Sequence, residues 1–141
     1  MSEEKEEFQR LSDQYVYLES LLKALDEQER LIMTYLQETE GALSALKSVG
    51  GDFLAALGAG IYVQSHVSGE KIFVSLGQSV FAERPKEEVI SYLERRREDL
   101  QKSVQATELR GRQTIGALQS MEPRLKELAN KLGLARWFLK E

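Results

Sequence analysis

Cysteine is absent, so neither disulfides nor thiol chemistry enter, and a single histidine leaves no cluster spaced like a zinc site. No cofactor is expected. No run reaches the roughly 18 to 20 uncharged apolar residues of a membrane-spanning helix, and the opening "MSEEKEEF" lacks the basic-then-apolar pattern of a signal peptide. The chain reads as cytoplasmic, with no membrane partner. An excess of one charge is missing too. The net charge of −4 comes from interspersed signs and makes no field that gathers phosphate backbone, which excludes nucleic acid as a principal partner. The one basic cluster, Arg95, Arg96 and Arg97 in "ERRRED", is flanked by acids and points in several directions on a helix, as a solvated, salt-bridged face does. What is present is 141 residues, 42% hydrophobic and 30% charged, which suits one folded domain spanning 1–141.

From Phe8 a strict alternation of four and three residues picks out Leu11, Tyr15, Leu18, Leu22, Leu25, Glu29, Ile32, Leu36, Thr39, Leu43 and Leu46. Only Glu29 and Thr39 break it. A stripe this narrow and this sustained keeps facing one neighbour, which is the coiled-coil signature. It predicts a helix over 3–49, stopped by Gly50 and Gly51.

A second periodic segment, predicted as a helix over 85–140, opens at Pro85, with Glu87 and Glu88 favouring the dipole of its first turn. Its seam runs Ile90, Leu93, Arg97, Leu100, Val104, Thr107, Gly111, Thr114, Leu118, Met121, Leu125, Leu128 and Leu132. The stretch from Thr107 to Thr114 is soft, since small or polar residues bury little and Gly111 and Gly116 each cost about 1 kcal/mol of helix propensity. Pro123 should kink the helix unless it falls on an outer face.

Two such helices joined by a compact insert fold back most simply as an antiparallel pair. Counted from a base at Ser48 and Lys86, the first arm has about 45 residues and the second about 54, at about 1.5 Å per residue. The second arm then overshoots. Leu134, Trp137, Phe138 and Leu139 are left at a bare tip, with Leu132 beside them and Phe8 and Leu11 extending the same apolar surface. The alternative is a frayed end after Gly133, or a tail folded onto its own arm. Exposing such large side chains is a standing cost of roughly 1.5–3 kcal/mol each, which suggests a partner.

Residues 58–81, "GAGIYVQSHVSGEKIFVSLGQSVF", cannot be helical. Ile61, Val63 and Val67 alternate with Tyr62, Gln64 and His66. Ile72, Val74 and Leu76 alternate with Phe73 and Ser75. Period two means strands, with "VSGEK" turning the first into the second and Gly77 preceding a third over 79–83. "FLAAL" at 53–57 supplies one more strand. That makes two hairpins, four short strands, over 50–84. So few residues cannot close a core, so Ile61, Val63, Val67, Ile72, Val74, Leu76 and Val80 are expected to meet sister chains.

Three rival readings of this insert are weaker. "GAG" at 58–60 lacks the third glycine of a phosphate loop and precedes a strand where that loop opens a helix. His66 has no Ser, Asp or second His evidently placed to orient it. The aromatics Tyr62, Phe73 and Phe81 lack interleaved basic residues for stacking on bases. No acid, base, nucleophile and ligand converge, so the chain is not expected to be an enzyme.

The order helix, "LAALGAGIYVQSHVSGEKIFVSLGQSVFAERPKEEVISYLERRREDL", helix resembles the prefoldin alpha subunit family, archaeal members above all. Two hairpins, where a beta-type subunit has one, carry the alpha-type likeness, and it is strongest over 54–100. The resemblance implies an α+β, mainly α fold: a long antiparallel two-helix coiled coil with two β-hairpins inserted between the helices. It further implies a hexamer of two alpha-type and four beta-type subunits, built on its hairpins. Such assemblies hold unfolded client proteins at the arm ends without ATP and deliver them to a group II chaperonin. Carried onto this chain, the client contacts are Phe8, Leu11, Leu132, Leu134, Trp137, Phe138 and Leu139. Ala56 stands where relatives often have proline, Ser79 where they commonly repeat glycine, and Arg84 where many have a better helix cap. A prefoldin-like scaffold or filament that binds no clients is the alternative.

Overall fold

The computed structural model describes residues 2–67 and 71–134. Helix α1 spans Ser2–Ser48 and helix α2 spans Lys86–Lys131, of 47 and 46 residues. Between them lie β1 (Asp52–Gly58), β2 (Ile61–His66), β3 (Lys71–Gly77) and β4 (Val80–Pro85). The chain divides into two compact units, one of Met1–Met33 with Ser103–Glu141 and one of Thr34–Lys102. They are called here the arm unit and the hairpin unit.

In the arm unit the helices run antiparallel, because partners fall along α2 as they rise along α1: Glu7 with Arg124, Tyr15 with Glu122, Glu29 with Glu108. Every seam residue of both helices read from the sequence is buried or half-buried. An apolar cluster joins Phe8 and Tyr15 of α1 to Leu118, Leu125, Leu128 and Ala129 of α2, with Leu22 and Met121 packed on it. The polar breaks are tolerated because their hydroxyls are satisfied locally. Thr114 donates to the carbonyl of Arg110 at 2.8 Å, and in the hairpin unit Thr39 donates to that of Tyr35 at 2.8 Å. Pro123 lies on the exposed side, so the backbone bond it forfeits is lost to solvent and α2 continues through it.

Helix α2 ends at Lys131, short of the expected residue 140. Gly133 takes φ +71°, Leu134 N–H reaches the Ala129 carbonyl at 2.7 Å and Gly133 N–H that of Asn130 at 3.3 Å. This paired wrap-back closes the helix end. The two helices, of 47 and 46 residues, are therefore nearly equal, and residues 135–140 of the expected overshoot lie outside the described residues.

In the hairpin unit α1 ends as Val49 N–H bonds the Ala45 carbonyl at 2.8 Å and Gly51 turns out at φ +61°. Helix α2 starts one residue later than read, after Pro85. Its first residue, Lys86, points Nζ at the carbonyl of Val49 at 3.5 Å, a cation at the negative end of α1. Lys47 and Glu94 approach to 3.6 Å.

The strand pairing differs from the sequence reading. β1 pairs with β2 and β3 with β4, each antiparallel, as two separate two-stranded sheets. "VSGEK" thus joins two hairpins rather than two paired strands, and its residues 68–70 lie outside the described part. The hairpin turns are Ala59–Gly60, at φ +54° and +78°, and Gln78–Ser79, at φ +51° and +63°. Two positive φ values mark mirror-image tight turns that match strand twist, and each follows a one-residue register shift. Ser79 therefore leaves the bend intact, at the cost of strain. Replacing Gln78–Ser79 by Asn-Gly is expected to stabilise the hairpin by about 1 kcal/mol, read as a higher unfolding temperature.

Candidate functional site

The hairpins expose apolar side chains on both faces. Ile61 and Val63 on β2, Leu76 on β3 and Val80 on β4 are exposed, while Ile72 and Val74 on β3 and Val67, just past the end of β2, are half-buried. The opposite parity is as bare: Leu54 is 68% exposed, Phe73 66%, and Tyr62 and Phe81 stand out as well. Sequence reasoning put the aliphatic parity at an interface but left β1 out. Phe53, Leu54 and Leu57 of β1 are exposed as well, and the apolar run before Gly58 was the signal. A lone hairpin is marginal in water, so faces of this kind call for a cover.

Beside the second hairpin lies a groove of about 450 Å³. Val74, Leu76 and Ala82 form its sheet side, and Val89, Tyr92 and Leu93 of α2 its helix side. Val74 sits opposite Ala82 in the ladder, so its side chain shares their face. Across the ladder Lys71 and Glu83 pair at 3.5 Å, flanking Phe73.

His66 does have an acid beside it, contrary to the sequence reading. Its Nδ1 lies 3.0 Å from Asp52 Oδ1, because the register sets these residues opposite each other. Both are exposed, and an exposed pair of this sort contributes little. Among the described residues no group of three or more metal-ligating side chains is present, and no helix is long and apolar enough to cross a membrane.

The arm end departs from the expected bare tip. Phe8 is 9% exposed, within the core cluster, and Leu11 and Leu132 pack against that cluster. With α2 stopping at Lys131, α1 is long enough to cover it, so Phe8 is core and not fingertip. Leu134 is 45% exposed. Trp137, Phe138 and Leu139 lie outside the described residues. The same end is bound by a clamp missed from the sequence: Arg124 Nε and Nη2 both donate to the Glu7 carboxylate at 2.8 Å, and Nη1 donates to Glu127 at 3.0 Å. Through the bonds from Arg124, Glu7 and Glu127 are held below the usual carboxylate range, and Arg124 is pushed up. Tyr15 OH adds a bond to Glu122 Oε1 at 3.1 Å.

Compared with known proteins, the sequence model of one family, described as "Prefoldin subunit", matches residues 4–131. The chain belongs to the prefoldin family. Among curated relatives, a prefoldin subunit alpha of Pyrobaculum calidifontis is 28% identical over 137 residues, covering 95% of this chain and 99% of the relative. One of Thermofilum pendens is 28% identical over 69% of this chain and 80% of its own. One of Pyrococcus horikoshii is 25% identical over 93% and 88%. The prefoldin fold recurs in a cryo-EM structure of filamentous PFD from Methanocaldococcus jannaschii, with a TM-score of 0.53 and 21% identity over 81% of this chain and 97% of that one. Two helices with two antiparallel hairpins between them is therefore a prefoldin architecture, with the hairpins as its bare apolar part.

Proposed function

We propose that this prefoldin chain is the alpha-type subunit of an ATP-independent holding chaperone in the cytoplasm. Its hairpins assemble with beta-type subunits, two alpha with four beta. The complex captures unfolded polypeptide at the arm ends and passes it to a group II chaperonin. The observation that carries the reading is the pair of hairpins with apolar residues open on both faces, which a chain working alone would not keep in water. The family match and the alpha-subunit relatives support the same reading. No residue performs chemistry in it, and no cofactor is needed.

Capture is assigned to Leu134 and to Trp137, Phe138 and Leu139, with Phe8, Leu11 and Leu132 shaping the packed end beneath. Each contact is weak, and several arms on one assembly raise the effective concentration. Replacing Trp137, Phe138 and Leu139 by serine removes about 1.5–3 kcal/mol per buried side chain, so client affinity should fall by about 100-fold or more. The readout is suppression of aggregation of a heat-unfolding enzyme by the assembled complex, with complex mass as control. Trp137 is the sole tryptophan, so its emission should shift to the blue when such a client is added. Undiminished suppression with an unchanged mass would sink the assignment of these residues, whereas a parent complex that neither suppresses aggregation nor shifts its emission would leave the scaffold reading.

A further inference from the structure

The stretch of the arm unit with the least apolar side chain to bury holds two carboxyl groups on one cleft. Glu29 occupies a seam position between Leu25 and Ile32, where the repeat calls for an apolar side chain, and it is half-buried there. Across from it α2 offers Thr107, Glu108 and Gly111. Nothing lies within 4 Å of where a Cβ on Gly111 would stand. The shortfall leaves a cleft of about 260 Å³, with Leu22, Leu25 and Ile115 on its apolar side. The charged groups around Glu29 are Asp26 on its own helix, tied to Arg30 at 3.2 Å, and Glu108 and Arg112 on α2. Glu29 and Glu108 line this cleft from facing helices, so a single proton between the two carboxyls would let one donate a hydrogen bond to the other.

We propose that the Glu29–Glu108 pair is a proton-operated latch on this helix pair, bridging α1 and α2 when it holds one proton and pushing them apart around the cleft when both groups are ionised. Burial, then repulsion from Glu108 and its hydrogen bond, then Asp26, raise Glu29 above the ordinary carboxylate value of 4.5. A raised carboxyl binds its proton more tightly folded than unfolded. Its stabilisation is therefore complete below 4.5 and fades as pH climbs through the raised value. As Glu29 loses its proton through that raised value, the seam beside Leu25 and Ile115 loosens. The Arg124 clamp has the opposite sign: Glu7 and Glu127 are lowered, so it contributes above the ordinary value and is lost as pH falls through the lowered one. Acid thus tightens the middle of this unit while releasing its end.

Amide hydrogen exchange of the full chain in its assembled form, corrected for intrinsic rate, tests this between pH 4.5 and 8. Protection of amides from Thr107 to Ile115 should fall with rising pH in the parent, by about tenfold for each pH unit of displaced titration. In Glu29→Gln the amide donates to Glu108 without a charge, so protection should be flat and near the parent's acid level. Glu108→Gln should flatten the profile equally. A parent profile that is flat or rises with pH would overturn the latch. So would a Glu29→Gln chain that follows the parent, or a Glu108→Gln chain that keeps the parent's slope.

Discussion

Val74→Asp is expected to dissolve the proposed assembly into single chains of 16.0 kDa with their helices intact. Val74 lies on β3 opposite Ala82, half-buried, facing the groove lined by Val89 and Tyr92. When a neighbouring chain completes the burial, valine contributes about 1.5–3 kcal/mol, whereas a carboxylate without a partner costs several kcal/mol more in effective desolvation. A swing of about 5 kcal/mol per interface weakens association by more than about 10³-fold, and the effect repeats at every copy. Light scattering on the eluting complex reads the mass, and circular dichroism reads the helices. An oligomer of parental mass would remove the hairpins from the assembly surface.

The second large effect is internal to the arm unit. Leu125 is 0% exposed, as is Leu128, and among the described residues they are the largest fully buried side chains. Truncating Leu125 to alanine should cost roughly 2–5 kcal/mol, the transfer loss plus an unfilled cavity. A two-helix pair has no further layer to collapse into the hole, so the upper half of that range is expected. Against a total of about 5–15 kcal/mol for a domain, this is a large share. Thermal unfolding followed by circular dichroism should drop by roughly 10 °C or more. Leu109→Ala, at a position 49% exposed, is the matched control and should change stability by less than about 0.5 kcal/mol.

The seam was the most legible part of the sequence, because coiled-coil geometry ties burial to spacing rather than to residue type. Glu29, Thr39, Thr107 and Thr114 sit where the count puts them although none is apolar. Strands were legible from alternation, but alternation says nothing of which strand pairs with which. The partners were set by turns at Ala59 and at Gln78–Ser79, residues that seldom take positive φ. The end of α2 was misread because the apolar period runs on past Gly133, while the stop lies in backbone bonds from two consecutive N–H groups. That error carried Phe8 with it, since its burial depends on where the other helix stops. The Arg124 fork left no trace in the periodicity, being a contact between flanks of the stripe rather than along it.

That fork also decides between alignments. A leucine zipper is nearly indifferent to slipping by one heptad, since apolar residues meet apolar residues again seven positions on. Slip one way and Glu7 faces Ala117, with both bonds gone. Slip the other and it meets Lys131, a point charge that cannot match the two-pronged geometry. The guanidinium acts as a key that only one tooth of the ratchet admits.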